Sequence, residues 1–494
     1  MYKDALPVEI EQAVSDAWKA FSVYSRVSFA ERAAFMRAVA TEIEELGEAL
    51  ITQAQVETQL PAVRLRNERA RTVFQLRSYA DACEQGTWMD VRIDTANAAP
   101  ARPDIRKTMV PLGPVVVFGA ANFPFAYSTA GGDTASAFAA GCPVIVKAHP
   151  AHAATSELVA TAIHKAVKSC SLPPGLFVHL HGASHEVGRA LVEHPLVKAA
   201  GFTGSQSGGR QLFDWATQRK EPIPVFAEMS SINPVFLLPG KIKEEAAAVA
   251  QQYAASVTLG TGQFCTNPGL LIGIDNHDLQ AFAAALATAM VQMAPGDMLH
   301  AGIYKNYVEA RANALAQEGV ELLAVSATDA QLNQGIPTLA ATTAAHFIAN
   351  PLLHQEVFGP YTLLVKCRDM EEMLQVAGQL EGQLTATLMA TADDIKKYPG
   401  LKRAAALRCG RLICNGVPTG VEVCPAMQHG GPYPATTDSR FTAVGADAIR
   451  RFARPLAFQN WDNEMLPDEL KDENPLNLWR MVNNELTKGA IERQ

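Results

Sequence analysis

One cysteine of eight sits in a loop suited to access, Gly260-Thr261-Gly262-Gln263-Phe264-Cys265-Thr266-Asn267-Pro268-Gly269. A thiol attacks as the thiolate, and with an ordinary pKa of about 8.5 it needs a polarising site to ionise near neutral pH. Flanking glycines let backbone N–H groups approach a developing oxyanion closely. Cys265 is therefore the candidate nucleophile, set against the common fate of free cysteine as a small core residue. Two further stretches carry chemistry-bearing side chains. In Val225-Phe226-Ala227-Glu228-Met229-Ser230-Ser231-Ile232-Asn233-Pro234 an apolar approach ends in a carboxylate, which predicts a strand closing at Glu228. In His354-Gln355-Glu356-Val357-Phe358-Gly359-Pro360 a second carboxylate precedes a turn.

Composition bounds the partners. The 494 residues are 48% hydrophobic, enough for two or three cores, since single cores stop growing near about 250 to 300 residues. A net charge of −8, from 42 basic and 50 acidic residues, supplies no basic stripe for a phosphate backbone, so nucleic acid is not an expected partner. No stretch reaches the roughly 18 uninterrupted apolar residues of a membrane helix. The start, Met1 to Glu9, lacks the apolar core of a signal peptide. The cysteines show neither a Cys-x-x-Cys pair nor a metal-ligand spacing with histidine. They read as reduced thiols in a cytoplasmic enzyme that needs no metal.

The elements that must position these residues follow from pattern. Ser28-Phe29-Ala30-Glu31 has the form of a capping box, and Met36, Val39, Ile43, Leu46 and Leu50 recur at helical spacing. A second helix, about Ala62 to Cys83, carries Arg64, Arg66, Arg69, Arg71 and Arg77, most of them expected on a solvated face. Short β-like runs occupy Trp88 to Lys107. Between Gly113 and Ala227, the apolar runs Pro114 to Phe118, Pro143 to Val146, Leu176 to Leu180 and Val197 to Phe202 alternate with helical stretches, as buried parallel strands do. The second half repeats this with Val235 to Leu238, Leu270 to Ile274, Thr362 to Val365, Thr385 to Met389 and Arg411 to Cys414. The fold class is α/β, doubly wound, with ligands at the carboxyl ends of the strands. Gly201-Phe202-Thr203-Gly204-Ser205-Gln206-Ser207-Gly208-Gly209-Arg210 ends a strand and opens a helix, where free N–H groups and the helix dipole attract phosphate.

Together the cysteine loop, the Glu228 stretch and Glu356-Val357-Phe358-Gly359-Pro360 resemble the aldehyde dehydrogenase superfamily over nearly the whole chain, although Met-Ser-Ser follows Glu228 where the family usually has Leu-Gly-Gly. The resemblance implies two doubly wound α/β domains and a small β element for oligomerisation. Residues 1–87 and 112–227 would bind the cofactor and 228–440 would be catalytic. Residues 88–111 and 441–494 would mediate a homodimer or homotetramer.

Residue roles are carried over from the same family. Asn122, by itself an ordinary turn residue, would join the Cys265 N–H as an oxyanion hole. Glu228, with a pKa raised by burial, would activate the water that hydrolyses a thioester on Cys265. Lys147 would hold the adenosine ribose, with His149 also binding the cofactor; Thr203 would meet the nicotinamide, and Gly204 and Ser205 the pyrophosphate. Glu356 and Phe358 would hold the nicotinamide ribose and ring. Where relatives that prefer NAD carry a glutamate this chain has Pro150, and Arg210 is placed to pair with a 2′-phosphate. The expected cofactor is thus NADP, with NAD possible.

Within the superfamily the Glu228 stretch and Gln428-His429-Gly430-Gly431-Pro432-Tyr433-Pro434-Ala435-Thr436-Thr437-Asp438-Ser439-Arg440 look most like the branch that oxidises α-ketoglutaric semialdehyde (2,5-dioxopentanoate). The alternative is a fatty aldehyde dehydrogenase; a CoA-acylating enzyme fits less well, because such relatives commonly lack the glutamate. Phe123 would line the substrate channel. Small residues Ser128, Thr129 and Ala130 would widen it where succinic semialdehyde enzymes place an arginine. The substrate carboxylate would fall to Arg71, ahead of Arg69.

Overall fold

The computed structural model describes residues 2–492. Helices open the chain, and the capping box forms as read: the Ser28 hydroxyl accepts from the Glu31 N–H, and Glu31 accepts from the Ser28 N–H in return. That helix, Phe29–Glu45, stops before Leu46, so Leu50 belongs to the next helix, Gly47–Thr58.

Five parallel strands follow in the spatial order Phe177–Leu180, Val144–Lys147, Val115–Phe118, Ala199–Thr203, Val225–Glu228. The first strand in the chain lies in the middle, so strand order reverses there, which is where open α/β sheets bind ligands. Val115 and Val117 face one core and Val116 and Phe118 the other. Helices therefore cover both faces, and each such buried side chain contributes about 1.5 to 3 kcal/mol.

A second sheet runs Glu321–Val325, Thr338–Thr343, Tyr361–Cys367, Leu270–Ile274, Val235–Leu237, Gln383–Met389, Cys409–Cys414. All its pairs are parallel except the first, which is antiparallel. Glu321–Val325 and Thr338–Thr343 are the strands that the apolar-run reading passes over. Glu321–Val325 is an edge strand with mostly exposed side chains, although Leu322 to Val325 is itself a short apolar run.

The excursion at residues 88–111, which follows the arginine-rich helix, and the C-terminal segment share a third sheet, in the order Ala453–Gln459, Ile105–Pro111, Arg92–Asp94, Arg480–Val482, Glu485–Thr487. Among the described residues no helix is long and apolar enough to cross a membrane.

The site follows from how the first two sheets meet. Glu228 ends the last strand of the first sheet at its carboxyl edge. Cys265 and Glu356 lie just ahead of Leu270–Ile274 and Tyr361–Cys367, at the amino edge of the second.

Candidate active site

The nucleophile loop is held from below by one side chain. Asn233 is fully buried, in a left-handed conformation (φ 49°). Its amide donates to the carbonyls of Cys265 (2.9 Å) and Asn267 (2.9 Å), and its carbonyl oxygen accepts from Ser231 and Thr385. Gln383 accepts from the N–H groups of Ile232 and Asn233 and from the Ser231 hydroxyl. Ser231, the last residue of the Met-Ser-Ser sequence, thus joins Asn233, Gln383 and Thr385 in a buried polar network, and such networks fix local geometry. Gly262 (φ 65°) has a different use from the one its sequence suggests. A Cβ there would fall 2.3 Å from the Gly359 backbone, so the glycine lets the cysteine loop pack on the Glu356–Pro360 segment.

Cys265 keeps part of its surface open. Its Sγ lies 3.8 Å from His429 Nε2, and His429 Nε2 lies 3.0 Å from Glu228 Oε2. The imidazole and carboxylate are close enough to couple electrostatically, yet they are not aligned as a hydrogen bond, and both Glu228 oxygens are buried without a hydrogen-bond partner.

The protonation states differ from those expected. Burial, and then the Glu228 charge, push the Cys265 thiol well above its ordinary range, so it rests protonated and is not a preformed thiolate. Burial pushes Glu228 up, but His429, the Cys265 thiol and Arg451 more than offset it, and its net shift is downward. The expected burial-raised carboxylate is therefore corrected: Glu228 rests ionised. A protonated thiol beside an ionised carboxylate, with an imidazole close to both, is an acid and a base ready to exchange a proton.

His429 carried no signal in the sequence as a catalytic group, because it is distant in the chain from both partners. Its position depends on backbone contacts: its N–H donates to Thr442 Oγ1 (2.9 Å) and its carbonyl accepts from Ala443 N (2.8 Å). Gly431 next to it crosses the sheet edge so closely that a Cβ would lie 2.1 Å from the Gln383 carbonyl.

Asn122 reaches the same loop, donating from Nδ2 to the Gln263 carbonyl (3.1 Å). Among the described residues nothing accepts from the Cys265 N–H. Arg64 fixes this corner. It donates to the Asn122 carbonyl (2.7 Å) and lies over the rings of Phe123 and Phe264 at 5.1 and 4.9 Å.

The arginine-rich helix, Ala62–Gln85, is two-faced. Arg66 and Arg77 pair with Glu48 and Glu44 in solvent, as expected. Arg64, Glu68 and Arg71, at i, i+4 and i+7, point inward instead, which corrects the solvated reading for the two arginines. Glu68 is buried and accepts from the N–H groups of Phe125 and Ala126, so it anchors the Asn122 segment to the helix. Arg71 donates to Tyr127 Oη (3.0 Å), lies 5.3 Å from that ring and has a buried Nε without a partner. Arg69 turns away to the Gly47 carbonyl.

The expected widening is not present at the predicted residues. Ala130 is part of the core, Thr129 Oγ1 pairs with Ser156, and Ser128 is buried. Tyr127 faces the site instead, its ring 6.0 Å from that of His429. Arg411, missed because a lone arginine in a strand has no signature, lies within electrostatic reach of Cys265 and Tyr127 and also has an unpartnered buried Nε.

At the carboxyl edge of the first sheet the cofactor candidates are set apart from this chemistry. Lys147 ends its strand partly buried, where burial pulls its pKa down, and Asp4 is the electrostatic partner of its ammonium. Ser205 caps the helix Gln206–Thr217 through Gly208 N (3.2 Å). Gly204 N donates to the Glu228 carbonyl (3.0 Å) and Thr203 pairs with Glu228 across the sheet. His149 caps the turn Pro150–His152, and burial keeps it neutral. Arg210 is exposed, bound to Asp214 (2.8 Å) and Tyr433 Oη (3.3 Å). Glu356 and Phe358 line a cleft with Ser231, Phe264 and Asn267, and burial pushes Glu356 up to about 7.

A doubly wound domain abutting a second α/β domain, with a cysteine, a carboxylate and an asparagine at the junction, defines a thiol-dependent dehydrogenase architecture. The aldehyde dehydrogenase family model matches residues 2–447, and the chain belongs to that family. It is 48% identical over 483 residues to α-ketoglutaric semialdehyde dehydrogenase 2 of Azospirillum brasilense, covering 97% of this chain and 91% of that one. It is 44% identical to the α-ketoglutaric semialdehyde dehydrogenase of Acinetobacter baylyi, covering 99% and 93%. Its fold is similar to that of a 1-pyrroline-5-carboxylate dehydrogenase from Thermus solved with bound NAD (TM-score 0.79, 21% identity, 92% and 86% covered). It is also similar to that of a glyceraldehyde-3-phosphate dehydrogenase from Methanocaldococcus jannaschii complexed with NADP (TM-score 0.78, 18% identity, 93% and 95% covered). The protein is an aldehyde dehydrogenase, and its family uses NAD(P).

Proposed function

We propose that the enzyme oxidises 2,5-dioxopentanoate to 2-oxoglutarate with NADP. The observation that carries the substrate is Arg71: a guanidinium with an unpartnered buried Nε beside Tyr127, within electrostatic reach of Cys265. The two relatives at 44 and 48% identity support the same reading.

In this mechanism the Cys265 thiol gives its proton to His429 Nε2, which returns it to solvent, as Sγ bonds to the aldehyde carbon, and Glu228 stays ionised for the later step. The alkoxide that forms is held by the Cys265 N–H and the Asn122 amide, once the latter leaves Gln263; one such donor is typically worth about 3 to 4 kcal/mol. A bound nicotinamide would supply the hydride acceptor, and Cys265 would then carry the acyl group as a thioester. Glu228 then draws a proton from the water that releases the acid. Phe123, Phe264 and Tyr127 exclude bulk water from the reacting carbon, and Arg71 takes the distal carboxylate. Lys147, His149, Thr203, Gly204, Ser205, Glu356 and Phe358 would hold the cofactor.

Truncating a buried arginine–carboxylate contact costs about 2 to 5 kcal/mol, roughly 30- to several-thousand-fold. Arg71→Ala is accordingly expected to lower kcat/KM on 2,5-dioxopentanoate by at least about 30-fold while changing hexanal severalfold at most. Equal losses on both would favour the fatty aldehyde alternative.

For NADP the support is Pro150 in place of a carboxylate and Arg210 near the start of the helix Gln206–Thr217, free to exchange Asp214 for a 2′-phosphate. Arg210→Ala should raise the NADP KM roughly tenfold and leave that for NAD unchanged; an unaltered NADP KM would remove Arg210 from the site.

Glu356 gives a pH dependence. Ribose hydroxyls donate to the carboxylate, so cofactor binding favours the ionised form of a group that is half protonated near pH 7 when free. Binding then releases a proton below that pH. The cofactor KM is expected to fall as pH rises through 7 and then level off. Glu356→Gln should flatten this component while retaining the titration of the 2′-phosphate itself, and an unchanged profile would contradict the assignment.

Self-association is proposed to run through the third sheet, which combines the excursion and the C-terminal segment. Sedimentation giving only a 53.0 kDa species would exclude it.

A further inference from the structure

We propose that Cys265, His429 and Glu228 form a Zn(II) site whose occupation reversibly shuts the enzyme off. Sγ, Nε2 and a carboxylate oxygen of these residues all lie within 4.8 Å of one another. The two separations that define the cluster are 3.8 Å from sulfur to nitrogen and 3.0 Å from nitrogen to oxygen. Ligands around a tetrahedral zinc, at bond lengths near 2.3 Å for sulfur and 2.0 to 2.1 Å for nitrogen and oxygen, stand about 3.5 and 3.3 Å apart. Shifts of a few tenths of an ångström would therefore bring these atoms into a coordination sphere, with a water as fourth ligand.

The donors are also fixed and available. Cys265 is tied down by Asn233, His429 by Thr442 and Ala443, and Glu228 by its strand pairing with Thr203. Glu228 is 4% exposed and neither of its oxygens makes an aligned hydrogen bond, so this buried carboxylate is aimed into the cluster with the other two donors, His429 and Cys265, as its partners. One thiolate, one imidazole and one carboxylate form a donor set that zinc takes in preference to the harder Mg²⁺ and Ca²⁺.

A second group, Glu157, His179 and His181, also brings three ligand atoms together. It is already a closed hydrogen-bonded network: His179 uses one nitrogen on Glu157 and the other on Ser156, and His181 uses Nε2 on Glu157. It contains no sulfur, which makes the two sites distinguishable by spectroscopy.

Binding exchanges the thiol proton for the metal: the S–H bond breaks, a Zn–S bond forms and one proton passes to solvent, with no change of oxidation state. Nucleophile and base would be sequestered together. The binding half of the proposal stands on geometry alone, whereas the inhibition half rests on Cys265 being the nucleophile.

Cobalt(II) added to the metal-free, cofactor-free enzyme should give a thiolate-to-metal charge-transfer band that saturates at one equivalent and is displaced by Zn(II). Cys265→Ser, a single-atom change, should abolish the band, and His429→Ala should weaken binding roughly tenfold or more. Zn(II) should slow alkylation of Cys265 by iodoacetamide, read by peptide mass spectrometry, and should inhibit turnover in a manner reversed by EDTA. Thermal unfolding of each variant establishes that it is folded, and His429→Gln replaces the alanine variant if that one is not.

No charge-transfer band at millimolar cobalt, or one that persists in Cys265→Ser, would overturn the site. Zinc inhibition of equal potency in a folded His429 variant would do the same. A band without inhibition would keep the metal site and reject both the switch and the assignment of Cys265 as nucleophile.

Discussion

Cys265→Ala is expected to lower turnover by roughly 10⁴-fold or more, because the covalent intermediate has no other group on which to form. Cofactor affinity should be nearly unchanged, since the candidate cofactor contacts at the edge of the first sheet lie on other segments. Fluorescence titration with NADP, beside a steady-state assay, checks both halves. The result would be decisive among the eight cysteines, because burial also raises the thiols of Cys83, Cys142, Cys367 and Cys409, while Cys265 alone is seated against a histidine and a carboxylate. Turnover retained in the alanine variant would remove the thiol from the mechanism.

Glu228→Gln should produce one rapid burst of NADPH per active site and then fall to a steady rate lower by roughly 10² to 10⁴-fold. The amide keeps the shape of the carboxylate but cannot take a proton from the deacylating water. Absence of a burst with normal cofactor binding would mean that Glu228 acts earlier, in removing the proton from the thiol. A second measurement separates charge from base function. The Glu228 charge helps to push the Cys265 thiol up. Removing that charge should therefore move the pH midpoint of Cys265 alkylation downward, so that the variant reacts faster than the parent at a given neutral pH. A midpoint that stays in place or rises would show that the carboxylate does not control the thiol.

Much of this architecture was legible from local pattern, and the failures have local causes. The strands at Val115–Phe118 and Leu270–Ile274 are apolar runs because both faces of each sheet are covered, and burial on both faces leaves a continuous signal. The edge strand Glu321–Val325 also holds an apolar run, Leu322 to Val325, yet only Ala324 of it is buried, so an apolar run does not by itself report burial on both faces. The arginine-rich helix reads as charged from every side. Only packing against the Asn122 segment separates Arg64, Glu68 and Arg71 from Arg66 and Arg77.

The sequence by itself determined the family, the fold class and which cysteine and carboxylates could carry chemistry, because those depend on residue types at short spacing within single segments. Tertiary structure alone decided the rest. It brought His429 close to both Cys265 and Glu228 from 164 residues beyond the cysteine, put Tyr127 in the place given to Ala130, and added Arg411 to the cations near the thiol. It also reversed the expected protonation of the nucleophile and its neighbouring base. A pKa is set by what is desolvated and which charges stand within a few ångströms, and neither quantity exists until the chain has folded.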